Sequence, residues 1–143
     1  ANTTDIAEMV YRSYPSKRLD LIADLTTNLQ LLCHGQLAIM TMTQEQMRSK
    51  GYEHEMFEDM VNLPLSAEMV LISALGRQDE EGVWRFSLRS KGDLDVGAVA
   101  RAFGGGGHRN AAGFRSQDDI EKIRADLMEI VGCHDGLTIG GNG

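Results

Sequence analysis

Four consecutive glycines followed by a histidine, Gly104-Gly105-Gly106-Gly107-His108, carry the clearest chemical signal in this chain. Glycine loses more conformational entropy on folding than any other residue, so a fold that keeps four together uses them for positive φ angles or close backbone approach. Consecutive glycine N–H groups can converge on one concavity and make an anion nest. The adjacent histidine can donate a hydrogen bond and carry charge near neutral pH. The combination predicts a phosphate-binding loop. A flexible connector, the ordinary meaning of glycine-rich sequence, fits less well, because the run lies between Ala102-Phe103 and Ala111-Ala112-Gly113-Phe114. Two familiar phosphate loops do not match. No Gly-Lys-Ser/Thr ending follows, and counting from Gly104 or Gly105, the third glycine of the dinucleotide fingerprint falls on Arg109 or Asn110.

A second group of candidates lies just upstream. Trp84, Phe86 and Leu88 alternate with Arg85, Ser87 and Arg89, so a strand here puts an apolar face against the core and a basic face opposite. Arg85 reads as part of a solvated outer face. Arg89 ends the strand before Ser90-Lys91-Gly92, where a loop can bring it toward the glycines, and a guanidinium can engage two phosphate oxygens at once. The Cys33-His34 and Cys133-His134 pairs suggest zinc, but the paired spacing of structural zinc ligands is missing and neighbouring side chains on a strand diverge. The two cysteines are therefore read as free thiols.

Charge narrows the partner. The chain of 143 residues has a formal net charge of −7, which argues against an electrostatic grip on long nucleic acid. Residues 1–84 carry −7 and residues 116–143 carry −4, whereas residues 85–115, which contain the glycine run, carry +4. A basic island on an acidic protein suits a compact anion or a nucleotide end better than a duplex. No apolar run approaches the ~18 residues of a membrane span, and the first residues, Ala-Asn-Thr-Thr-Asp-Ile, lack the pattern of a signal peptide. The expected location is the cytoplasm.

The elements that must position these residues follow from periodicity. Ile6 to Leu25 has helical spacing interrupted at Pro15, giving two helical pieces, the second reaching about Thr26. Leu29–Leu32 and Gln36–Met42 read as a hairpin about Cys33-His34-Gly35. Thr43 and Gln46 form a capping box for a helix over Gln44–Lys50, which Gly51 ends. Pro64 is expected to stop any helix in the acidic stretch before it. Met69-Val70-Leu71-Ile72 reads as a buried strand that forms a second hairpin with Val83–Ser90 across Asp79–Gly82. Asp93 or Asp95 caps a helix that runs through Phe103 into the glycines, and Phe114 opens a short strand. A last helix starts at Ser116–Asp119, carries Ile120, Ile123, Leu127 and Ile130, and stops at Gly132. The fold class is α/β, with a mixed, largely antiparallel sheet of about five strands flanked by helices.

These residues, Ser87-Leu88-Arg89-Ser90-Lys91-Gly92, Asp95-Val96 and Phe103 to Gly113, closely resemble the substrate domain of DHH phosphoesterases. The similarity extends through Leu37–Thr43 and Val61–Ser66, and the nearest branch resembles the oligoribonucleotide and 3′-phosphoadenosine-5′-phosphate phosphatases, relatives of RecJ exonucleases. It implies a helical lead-in over residues 1–27, a substrate-binding domain over 28–131 and a flexible tail over 132–143. In that family a separate domain, named for Asp-His-His, holds two manganese ions. No such triplet occurs here, so the resemblance implies a substrate-binding part whose catalytic metal domain lies elsewhere. It further implies that Arg89 and His108 hold a substrate phosphate, that the Gly105, Gly106 and Gly107 amides complete the cradle, and that Ser90, Asn110 and Ala111 line it. The partners implied are short single-stranded RNA or a nucleotide phosphate and the catalytic DHH domain, with neither membrane nor duplex DNA. A cyclic-dinucleotide phosphodiesterase, a regulatory dinucleotide-binding module and a structural interdomain or dimer contact are the alternatives, and an exposed hairpin edge gives two copies a surface on which to pair.

Overall fold

The computed structural model of the protein describes residues 17–133 and Ile139. The first of the two expected helical pieces and most of the expected tail lie outside those residues. A six-stranded sheet organises the rest, in the order β1-β2-β3-β4-β6-β5. Its strands are β1 (Gln30–Leu32), β2 (Leu37–Met42), β3 (Ile72–Gln78), β4 (Trp84–Ser90), β5 (Gly106–His108) and β6 (Ala111–Ser116). Only β2 and β3 run parallel, and every other neighbouring pair is antiparallel. The helices are α1 (residues 17–27), α2 (Gln44–Lys50), α3 (Val96–Ala102) and α4 (Ile120–Ile130), with 3-10 turns at His54–Phe57 and Met60–Ser66.

Local chemistry accounts for most of the boundaries. Thr43 Oγ1 accepts the Gln46 N–H at 3.2 Å while Gln46 Oε1 accepts the Thr43 N–H at 2.9 Å, which closes the capping box of α2. Asp95 caps α3 by accepting the Ala98 N–H, and Asp119 caps α4 by accepting that of Lys122. Ser116, expected to start α4, instead accepts the Asp118 N–H in the approach to it. Pro64 stops nothing. It lies inside the second 3-10 turn, whose φ suits a pyrrolidine ring. The strand expected from Met69 begins three residues later, at Ile72, because Ala67 to Val70 closes a turn that leaves Met69 exposed.

The two faces of the sheet are covered differently, and this asymmetry creates the site. Trp84, Phe86 and Leu88 of β4, with Ala112 and Phe114 of β6, pack under Val96, Val99 and Ala100 of α3 and Ile123 and Leu127 of α4. The opposite face is roofed over β2 and β3, and the 3-10 segments reach as far as β4. There Met40, Met42 and Leu75 meet Leu21 and Leu25 of α1 and Phe57, Met60 and Val61 of the 3-10 segment. Over β6 and β5 no helix among the described residues covers that face, and Arg115 and His108 are exposed there, as is Arg85 on β4.

Cys33 and Cys133 are joined by a disulfide, with their Cα atoms 5.7 Å apart. This overturns the expectation of free thiols. The β1–β2 turn, in which Cys33 and His34 both adopt positive φ, brings Cys33 against the end of α4, where Gly132 turns the chain toward it. Two thiols a hundred residues apart thus become neighbours through tertiary packing alone.

Candidate functional site

Register builds the site. On the open face Arg89 of β4 is paired with Ala111 of β6, and Ala111 in turn with His108 of β5. The three lie in one row, so the arginine and histidine stand on strands two apart, about 10 Å at the backbone, with only a methyl group between them. In the next row Ser87 pairs with Gly113 and Gly113 with Gly106, neither glycine presenting a side chain. The result is a shallow trough with a floor of Ala111, Gly113 and Gly106, and with a guanidinium on one wall and an imidazole on the other. Both can donate to an anion lying on that floor.

The four glycines serve different purposes. Gly104 takes φ +84 as the chain leaves α3, a left-handed conformation that glycine adopts without strain. A Cβ on Gly105 would lie 2.2 Å from the Gly113 carbonyl oxygen, and one on Gly107 would lie 2.5 Å from the Ala112 Cα. Those two allow the edge strand to close onto β6. Gly106 differs, because a Cβ there meets nothing within 4 Å and its φ is not positive. The fold's own packing does not require glycine at 106, and the open space above it is the trough.

The remaining residues singled out in the sequence divide by task. The Gly105 N–H is taken by the Ala100 carbonyl at 2.8 Å, so it faces the fold rather than the trough. Ser90 and Asn110 form a clasp. Asn110 Nδ2 lies 3.1 Å from the Ser90 carbonyl oxygen, 3.0 Å from Ser90 Oγ and 3.1 Å from the Gly92 carbonyl oxygen. Ser90 Oγ in turn donates toward the Leu94 carbonyl at 2.6 Å. The Arg109 carbonyl accepts the Val96 N–H at 2.7 Å, which ties the start of α3 to the two-residue turn after His108. These contacts hold the turn that follows His108 against the end of β4 and the start of α3. Arg109 itself reaches outward toward Asp93, 3.8 Å away. Arg89 Nη1 donates to the neighbouring Leu88 carbonyl at 2.9 Å and has no ion pair among the described residues.

Two features were not legible as site chemistry in the sequence. β5 is a regular edge strand, whereas a glycine run reads as a loop; its ladder is visible only once Ala111–Gly113 has been paired. Arg77 and Arg115 fall in register with Arg85, a coincidence of three strands that no local pattern announces. Among the described residues no group of three or more His, Cys, Asp or Glu side chains could hold a metal ion. The residues described here do not fit the manganese pair that the resemblance implies for the catalytic domain. Nor is any helix among them long and apolar enough to cross a membrane.

Known proteins share this architecture. An exopolyphosphatase-related protein from Bacteroides fragilis is 30% identical and superimposes with a TM-score of 0.74, over 90% of this chain and 39% of its own. A pGpG-specific phosphodiesterase from Vibrio cholerae shares the fold at 15% identity and a TM-score of 0.58, over 82% of this chain and 40% of its own. The chain thus spans about two-fifths of the length of these relatives. The DHHA1 domain family matches residues 34–132, from the β1–β2 turn to the end of α4, and includes every strand of the trough. The chain therefore belongs to the DHHA1 domain family and is related to the DHH phosphoesterases.

Proposed function

We propose that this chain is the phosphate-recognising part of a metal-dependent phosphoesterase that hydrolyses short oligoribonucleotides or 3′,5′-bisphosphonucleotides. The observation that carries the reading is the single row Arg89–Ala111–His108, a cationic and a hydrogen-bonding side chain facing each other across a floor without bulk. In it Arg89 pairs with the terminal phosphate and His108 donates to it. Gly106 admits the phosphate close to the backbone, the Gly107 amide and the Ala111 methyl border it, and Ser90 and Asn110 hold the turn in place. Charge supports a small ligand, since the only basic stretch of an acidic chain surrounds this trough.

Hydrolysis belongs to a separate DHH domain, where manganese supplies an activated water. The task of the present residues is to bind and orient the phosphate end. The test is a calorimetric titration with 5′-phosphorylated diadenylate of the wild-type chain and of Arg89→Ala and His108→Ala. A charge-assisted hydrogen bond contributes about 1.5–3 kcal/mol, so each substitution weakens binding by about tenfold or more. Wild-type affinity in both variants refutes the reading. Cyclic dinucleotide serves as competitor in the same experiment, since it has no terminal phosphate. Its displacing the linear ligand at equal concentration favours a cyclic-dinucleotide site instead.

A further inference from the structure

Two residues beyond the glycine floor, the same face of the sheet carries a second row that runs from the edge of the roof outward, Arg77 of β3, Arg85 of β4 and Arg115 of β6, directly opposite one another across three adjacent strands. Like charges so placed destabilise a sheet, and the described residues do little to neutralise these. Asp79 binds Arg85 Nε at 3.0 Å, whereas neither Arg77 nor Arg115 has an ion pair or side-chain hydrogen bond among the described residues. Arg77 is moreover half-buried, and burial, followed by repulsion from Arg85, pulls its pKa below the ordinary value, with Asp79 opposing. One carboxylate, Asp79, is bonded to one of these three guanidinium groups; Glu55, Glu58 and Glu81 line the spaces beside the row but form no ion pair with it among the described residues.

Space for an anion lies on both sides of the row. A cavity of about 330 Å³ is lined by Arg77, Arg85 and Ser87, with His54, Glu55 and Glu58 on its far wall. Another, of about 540 Å³, joins Arg115 to Gly104, Gly105 and Gly113, with Glu81 also on its wall. The second cavity makes the arginine row continuous with the glycine segment. Arg85 and Arg89 are four positions apart on the same strand, so the two cationic rows lie ~13 Å apart, with the glycine floor between them. That is too far for one phosphate to touch both, and it suits a chain that crosses the floor.

The geometry points to a second anion subsite at Arg77, Arg85 and Arg115, which takes a further phosphate of a linear, multiply phosphorylated chain whose terminal phosphate sits between Arg89 and His108. This rests on the proposed terminal-phosphate reading and extends it from a phosphate end to a phosphate chain. The chemistry is shared by two sources, an oligonucleotide backbone and inorganic polyphosphate.

The test compares 5′-AMP, 5′-phosphorylated triadenylate and a longer linear inorganic polyphosphate, able to span both rows, on the wild-type chain and on Arg77→Gln, Arg115→Gln and His108→Ala. The expected result is that wild type binds triadenylate at least about tenfold more tightly than AMP, with a steeper salt dependence. Arg77→Gln and Arg115→Gln abolish that gain, leave AMP affinity in place, and keep or raise the melting temperature, because they relieve repulsion. Binding of the linear polyphosphate with the same sensitivity to Arg77→Gln supports the subsite and identifies polyphosphate as a source. Its failure to bind beside a retained triadenylate gain supports the subsite and assigns it to the oligonucleotide. The subsite is overturned, with the terminal site standing, by AMP binding that needs His108 but gains nothing from added nucleotides. Equal losses of AMP and triadenylate affinity in Arg77→Gln and Arg115→Gln also overturn it. AMP and triadenylate binding that is absent, or indifferent to His108→Ala, defeats the terminal site itself and the subsite with it.

Discussion

Gly106→Ala separates folding from binding at the centre of the glycine run. A methyl group at Gly105 would be forced to 2.2 Å from a carbonyl oxygen, and one at Gly107 to 2.5 Å from a neighbouring Cα on a backbone at φ +146. Overpacking of this kind costs about 1–3 kcal/mol, and a side chain at such a φ adds strain of about 1–3 kcal/mol. At Gly106 neither penalty applies, since nothing lies within 4 Å and φ is not positive. Replacing glycine by alanine there restricts the unfolded chain and stabilises by about 0.4–1 kcal/mol. The same methyl group occupies the trough floor, where the phosphate is expected to approach. Urea denaturation should therefore rank Gly106→Ala at or above wild type, and Gly105→Ala and Gly107→Ala well below it. Titration with 5′-phosphorylated diadenylate should show Gly106→Ala weakened by about tenfold, the loss of roughly one phosphate hydrogen bond. A Gly106→Ala variant that binds as wild type, or one that unfolds as readily as Gly105→Ala, refutes the assignment of that glycine to the ligand.

The other contacts make equally definite demands. Reducing the Cys33–Cys133 bond, which closes a separation of 100 residues, should lower unfolding free energy by about 2–5 kcal/mol, read as a shift in urea midpoint with and without reductant; a Cys33→Ser chain should show no such shift. Asn110→Ala removes an amide that meets three oxygens of Ser90 and Gly92, and should cost about 1–3 kcal/mol of stability together with part of the phosphate affinity, since His108 loses its support. Burial works to raise the pKa of Asp79, but the Val83 amide, the Arg85 side chain and the Glu81 amide outweigh it and leave the carboxyl below its ordinary value. A depressed folded-state pKa contributes stability above the unfolded value of about 3.9 and loses it as pH falls through the folded one. The stability gap between wild type and Asp79→Asn should therefore be full near neutrality and close in acid, as followed by thermal melts across that range.

Much of the architecture is written in short-range patterns. The capping box of Thr43 and Gln46, the alternation of Trp84 to Arg89 and the glycine stops at Gly51 and Gly132 are local energetic choices, and the structure keeps each of them. What escaped the sequence depends on tertiary placement. A strand of Gly106, Gly107 and His108 has no apolar periodicity and exists because β6 offers it a ladder. The pairing of Cys33 with Cys133 requires α4 to end beside the first turn of the sheet. The parallel contact of β2 with β3 follows from the crossover through α2 and the 3-10 turns, which a reading of two separate hairpins does not contain. Candidate site residues were legible to the extent that glycine and histidine chemistry is local. That Arg89 and His108 share one row, with Ala111 between them, is a matter of register.

The central claim, that this trough recognises a terminal phosphate, is tested most directly by comparing diadenylate with and without its 5′-phosphate, on wild type and on His108→Ala. Wild type should prefer the phosphorylated ligand by about tenfold or more, and the preference should collapse in the variant while affinity for the unphosphorylated dinucleotide is unchanged. Equal affinity of wild type for the two ligands, or a preference that survives the loss of His108, would contradict it.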